Sequence, residues 1–234
     1  MKAHLVFLIA CASTGVAQTN SPSAASPAPP VSEVSFHLER PGLSVPKFTI
    51  AIHEDGTGTY KGEEAGVSGG PGAAPSPGRS INRPIRLSQA TTETIFKTAR
   101  SLDYFNIACE TKLKNIANTG KKTLSYSGPD GNGSCLYNYS ENKQVAQITE
   151  TFQGVAFTMD EGRKLDFLHR YDRLGLYSEM DVLIHEVEEK RALEIGNITS
   201  SLTSIVADDA LMQKVRERAA KLLALAEDTS SKGH

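Results

Sequence analysis

Between residues 34 and 62 apolar and polar side chains alternate with a period of two. Val34–Glu39 (VSFHLE) and Phe48–His53 (FTIAIH) carry this pattern, with Phe48, Ile50 and Ile52 on one face and Thr49, Ala51 and His53 on the other. Such alternation predicts half-buried strands. Glu54-Asp55-Gly56-Thr57-Gly58 supplies an Asp-Gly turn before Thr57–Gly62 (TGTYKG), so the pair reads as a hairpin in which Gly56 takes the positive φ. Pro84–Leu87 forms a short extended piece. Ser88 then caps a predicted helix with Ile95, Ala99 and Leu102 on one face, ending near Phe105-Asn106. A second hairpin is expected from Lys122–Ser127 and Cys135–Tyr139 around the turn formers Gly128–Gly133, with Cys135, Tyr137 and Tyr139 facing one side.

From Glu141 the period changes to 3.6. Val145, Ile148 and Phe152 predict a helix that Gly154 stops. Thr158 and Glu161 read as a capping box opening the next, which carries Leu165, Leu168 and Tyr171 and ends at Gly175. Ser178 and Asp181 open a third, with Leu183 and Val187 inward. Helices over about Arg191–Val206 and Asp208–Ala226 complete the series. Strands followed by helices predict an α+β fold: an antiparallel sheet built from hairpins with a packed helix, followed by a C-terminal helical region. The expected division is a β-rich domain over 33–140, a helical region over 141–226 and a frayed tail over 227–234.

The first residues change the picture of where the chain works. One cation, Lys2, precedes the apolar run Leu5–Ala10, and small residues lead to Gly15-Val16-Ala17. That is the layout of a secretory signal over 1–18. The competing reading of Leu8-Ile9-Ala10-Cys11 as a lipobox leaves an apolar region of about six residues, under the roughly 7–15 expected. Both readings export the chain, to the periplasm or beyond. Residues 19–32, rich in Ser, Ala and Pro, have too little apolar surface to fold and read as a linker. No later stretch is apolar enough to span a membrane.

Charge matters chiefly for what it removes. A formal net charge of −2 with interspersed signs gives no basic face for nucleic acid. With Cys11 in the targeting segment, Cys109 and Cys135 remain as an even pair in an exported chain. A disulfide between them closes a loop of about 27 residues, worth roughly 3.5 kcal/mol. Catalysis by a free thiol is the alternative, without a His nearby in sequence.

Several motifs invite chemistry. Gly66-Val67-Ser68-Gly69-Gly70 fits the G-x-S-x-G nucleophile elbow, but that elbow needs a strand-to-helix turn. Pro-Gly-Ala-Ala-Pro-Ser-Pro-Gly follows and cannot begin a helix, so Ser68 reads as a loop serine. Asp130, Asn132, Ser134 and Glu141 occupy positions 1, 3, 5 and 12 of a calcium-loop register; position 6, which requires glycine, is Cys135. His185-Glu186-Val187-Glu188-Glu189 starts like a zinc-protease helix but has Glu189 where the second His belongs. Asp166, His169, Arg170, Asp172 and Arg173 surround Tyr171 and read as an ion-paired helical strip. His37 and His53 sit on strands. Asn132, Asn138 and Asn197 begin glycosylation triplets.

The runs FTIAIHEDGTGTYKG, RPIRLSQATTETIFKTARSLDYF and TGKKTLSY together resemble a family of small exported bacterial domains of unknown function. The resemblance covers about residues 34–140. It implies the order strand, D-G turn, strand, helix, further strands, and no active residues. Pro41-Gly42-Leu43-Ser44 stands where that family has a cysteine pair.

The expected function is that of an exported, noncatalytic domain acting through contacts with an envelope protein or surface component. No metal and no cofactor is expected. Leu222 and Leu225 on the last helix either form a partner face or simply cover the sheet. The alternatives are a hydrolase assembled from distant segments, with His37, His53, Asp166 and His169 the residues to examine, or a small-ligand or calcium binder at Asp130–Glu141.

Overall fold

The computed structural model describes residues 31–66 and 78–231. The expected signal segment with Cys11, most of the expected linker, and Ser68 lie outside the described residues. Six strands form one antiparallel sheet in the order β4-β3-β2-β1-β5-β6. They are β1 (Glu33–Glu39), β2 (Lys47–His53), β3 (Thr57–Glu63), β4 (Ser80–Arg86), β5 (Lys121–Gly128) and β6 (Gly131–Tyr137). The five helices of the described residues are α1 (Gln89–Ser101), α2 (Lys143–Tyr171), α3 (Gly175–Glu188), α4 (Thr199–Ala207) and α5 (Gln213–Ser231). The fold is α+β with a helical C-terminal region.

Alternation along the strands produces the sheet's two unlike faces. Val34, Phe36 and Leu38 of β1 and Phe48, Ile50 and Ile52 of β2 are buried under α1 and α2. The opposite face carries Ser35, His37, Thr49, Thr123 and Ser125, as expected of an antiparallel sheet covered on one side. The first turn is the expected one: Gly56 has φ +78°, and Asp55 accepts from the Thr57 N–H at 2.8 Å. Ser88 caps α1 by accepting from the Thr91 N–H.

The second hairpin is tighter than predicted. β6 begins at Gly131, so Gly131 and Gly133 belong to the strand and the turn is Pro129-Asp130. The glycines serve close approach. A Cβ on Gly131 would meet the Tyr104 ring at 2.5 Å, and one on Gly133 would meet the Tyr104 carbonyl at 2.5 Å. Tyr104 lies in a left-handed 3-10 turn, Asp103–Phe105, whose three residues all have positive φ. Such backbone costs about 1–2 kcal/mol per residue, offset here by burial of Phe105 and packing of Tyr104 on Tyr126. Tyr139 lies past the end of β6 and is exposed, so it does not share the buried face of Cys135 and Tyr137.

Gly154 does not stop a helix, and Thr158 with Glu161 does not start one. All three lie inside α2, a single helix of 29 residues. Gly154, Thr158 and Gly162 recur every four residues and let the segment 191–198 lie against the helix. The Thr158 hydroxyl donates to the Leu193 carbonyl at 2.6 Å, and a Cβ on Gly154 would meet Leu193 at 2.8 Å. At Gly162 a Cβ would run into Ile198 Cγ2. Gly162→Ala is therefore expected to destabilise the protein by about 1–2 kcal/mol, although alanine is the better helix former. A denaturant titration of the variant measures it; a gain in stability would show that Ile198 yields freely. Three further boundaries move: Gly175 opens α3, the predicted helix over 191–206 is a turn, a 3-10 segment (Ile195–Ile198) and α4, and the last helix starts at Gln213.

Because α2 is continuous, it enters two cores. Val145, Ile148, Phe152, Val155 and Met159 pack on the sheet, while Leu165 joins α3, α4 and α5. Leu222 is buried in this second core, so it neither covers the sheet nor forms an exposed face. Among the described residues no helix is long and apolar enough to cross a membrane. Cys109 and Cys135 are disulfide-bonded, with Cα atoms 5.8 Å apart.

Candidate functional site

Successive contacts show α2 running across the strands. Tyr137 of β6 meets Thr149, Phe36 of β1 stacks on Phe152, and Tyr60 of β3 donates to Asp160 at 3.0 Å. Eleven residues separate Thr149 from Asp160, or about 16 Å of helix at about 1.5 Å per residue. Four inter-strand steps of about 4.8 Å separate β6 from β3, a comparable span. The helix has another eleven residues beyond Asp160, whereas the sheet has one strand left. The end of α2 consequently overhangs the β4 edge.

A cleft of about 500 Å³ lies beneath that overhang, with Ser80–Arg83 on one wall and Arg163, Phe167, Arg170 and Tyr171 on the other. A small polar network forms its base. Arg163 is ion-paired with Glu64 and stands 3.5 Å from Asp160. Burial raises the Asp160 carboxyl above its ordinary range, against the pull of Arg163, and burial beside Asp160 raises the Tyr60 phenol. The network fixes the first turn of the overhang to the sheet.

Higher in the cleft the charges are not matched in this way. Among the described residues neither Arg79, Arg83 nor Arg170 has a carboxylate within ion-pair distance, and Arg170 lies over the Tyr171 ring at 5.8 Å. Phe167 and Tyr171, their ring centroids 5.0 Å apart, are 59% and 66% exposed; Leu174 is 80% exposed. Phe167, Tyr171 and Leu174 thus expose apolar surface near cations without carboxylate partners among the described residues.

No protein-family model, curated protein or solved structure matches this chain. The site therefore rests on its own geometry, and the resemblance over 34–140 carries no residue into it.

Most of the sequence-predicted candidates are placed elsewhere. Asp130 bonds Arg100 at 2.7 Å and the Tyr126 hydroxyl at 2.5 Å, and these two partners hold its carboxyl below the ordinary value. Glu141 bonds Thr111 beyond the other end of β6, so the calcium register is not gathered into a loop. Among the described residues no group of three His, Cys, Asp or Glu side chains is placed to hold a metal ion. Glu186 forms two hydrogen bonds with Arg191, at 2.7 and 2.8 Å, and Glu188 pairs with Lys221. His37 bonds Thr49 and Glu39, while His53 lies beside Glu33, four residues along β1 from His37. His169 pairs with Asp208 at 2.9 Å and not with its own helix. The four residues named for a hydrolase are thus split between the open sheet face and α2.

Asn197 has a role its glycosylation triplet did not announce. Its side chain accepts from the Arg86 N–H at 2.8 Å and donates to the Arg86 carbonyl at 3.0 Å, occupying the β4 edge as a neighbouring strand would. Glu194 beside it accepts from Ser88 and Thr91 at the start of α1. Of the sequence candidates, only Asp166, Arg170 and Tyr171 line the cleft.

Proposed function

We propose that the chain is an exported, noncatalytic domain that acts by binding a protein of the cell envelope through the cleft between β4 and the overhang of α2. The observation that carries this reading is the set of cleft arginines without carboxylate partners beside the exposed pair Phe167 and Tyr171. The few residues that dominate binding at protein contacts are enriched in arginine, tyrosine and tryptophan. His37 and His53 lie on the open sheet face, away from Asp166 and His169 of α2, and this dispersal supports a contact role over turnover. The disulfide agrees with an oxidising location, and the signal-like first residues with export.

A photo-crosslinking residue at position 171 in cells tests the reading, with one at Ser125 on the open sheet face as the reference. The expected result is one identified envelope protein crosslinked from position 171, absent from position 125, and lost on Arg83→Glu. Equal labelling from both positions, or none from either, would overturn it.

A further inference from the structure

The two edges of the sheet are finished differently. At β6 the outward Asn132 carbonyl accepts from the Asn106 side chain at 2.9 Å, and Glu110 accepts from the Asn138 N–H just past the strand. At β4 the alternation of an antiparallel ladder fixes which groups face outward. Arg86 faces out, because Asn197 takes both of its backbone groups. Its alternates Pro84, Asn82 and Ser80 therefore face out too, while Arg79 turns its carbonyl inward to the Glu64 N–H at 2.8 Å. Pro84 has no N–H to offer. Among the described residues nothing pairs with the outward backbone groups of Ser80 and Asn82. That unpaired stretch is a wall of the cleft.

The dimensions match those of a strand. A seventh strand would lie about 4.8 Å outside β4, and about 10 Å outside β3. Counting along α2 from Asp160 over β3, that distance is reached about six or seven residues on, at Asp166 and Phe167. The cleft thus holds unpaired strand edge on one side, helix on the other, and room for one extended chain between them. Asn197 closes the Arg86 end.

We infer that the cleft binds an extended acidic peptide segment of the partner, added as a seventh strand beside Ser80–Asn82; this rests on the contact role proposed above. Strand addition takes its affinity from main-chain hydrogen bonds and its selectivity from alternate side chains. Arg79, Arg83 and Arg170 select carboxylates at alternate positions, and Phe167 with Tyr171 covers an apolar residue between them. The cleft contains four arginines against Glu64 and Asp166, an excess of positive charge in a chain whose formal net charge is −2.

The test uses the full exported chain and a fluorescent, blocked peptide of alternating glutamate and valine, read by anisotropy. Saturable binding is expected, weakened about tenfold or more by Arg83→Glu with Arg170→Glu, and also by raised salt. Methylating alternate peptide amides leaves charge and side chains intact and leaves the protein untouched. It should abolish binding in one methylation register and spare it in the other. Asn82→Pro should do the same from the protein side. Amide shifts on binding should centre on residues 80–82. Equal binding of both methylated peptides would overturn strand addition while leaving the contact role standing. Preference for a matched peptide of alternating lysine and valine, or for single-stranded oligonucleotide, would overturn the acidic partner. Failure of the crosslinking at position 171 as well would remove the contact role itself.

Discussion

Replacing Cys109 and Cys135 together by alanine is expected to lower the melting temperature by roughly 10 °C and stability by about 3.5 kcal/mol. The second figure is the loop-closure entropy of the bridged span, and the first follows from the usual conversion for a chain of this size. The bridge spans 26 positions and holds the irregular connection 106–120 against β6. Hydrogen bonds to β6 and the residues just after it share that task. Thr111 donates to the Tyr139 carbonyl at 2.9 Å, and Asn138 accepts from the Thr119 N–H at 2.7 Å. Lys122 depends on the same connection. It is only 4% exposed, and its ammonium is satisfied by oxygens of Thr119, Gly120 and Asn138. Burial, with a smaller push from Arg40, lowers its pKa. An opened loop would let water reach that cation, so amide exchange should rise over 106–120 before the rest of the fold yields. Scanning calorimetry with and without reductant checks the prediction. A reduced protein that melts within a degree or two of the oxidised one would refute it.

What the chain revealed in advance, and what it concealed, follows one physical line. β1, β2 and the Asp55-Gly56 hairpin were legible because alternation and a positive-φ glycine are local properties. The Ser88 cap was legible for the same reason. Gly131, Gly133, Gly154 and Gly162 were not, because a glycine that makes room for a neighbour is written with the same letter as one that turns the chain. Reading Gly154 as a stop cut α2 in two, and with it the overhang that makes the cleft. Asp166, His169 and Arg170 were recognised on their helix, although Asp172 and Arg173 lie past its end and His169 and Arg173 pair with Asp208, not within the strip. Its counterparts Arg79 and Arg83 were not, since they lie some 80 positions earlier and become neighbours only when β4 takes the edge of the sheet. Asn197 shows the same limit: its triplet said nothing of the contact it makes with a backbone 111 positions away.

Raising the pH from about 5 to above 8 is expected to destabilise the protein, and one pair of side chains accounts for the largest part. Glu161 of α2 and Glu179 of α3 are both buried, 7% exposed each. Lys164 lies 2.6 Å from Glu179 and 4.0 Å from Glu161, so one cation serves two acids. Each acid also has a buried oxygen that no other N–H or O–H donor among the described residues reaches. Burial, then the hydrogen bond and charge of Glu179, push the Glu161 carboxyl up to about 8. Its folded value therefore lies above the ordinary 4.5. The stabilisation is complete below the unfolded value and is lost as the pH rises through the folded one. The loss is on the order of 3 kcal/mol by about pH 9, or roughly 10 °C. Asp160, also raised by burial, adds in the same direction. Asp130 and Asp208, both lowered by hydrogen-bond partners, act oppositely and only at acid pH. The two limbs are thus separable. Glu161→Gln imitates the protonated acid at every pH, so most of the fall in melting temperature between pH 5 and 8 should disappear, leaving the share of Asp160, and the variant should exceed the parent at pH 8. Glu186→Gln, on the surface and paired with Arg191, should leave the slope intact. A parent slope that survives Glu161→Gln would place the responsible proton elsewhere.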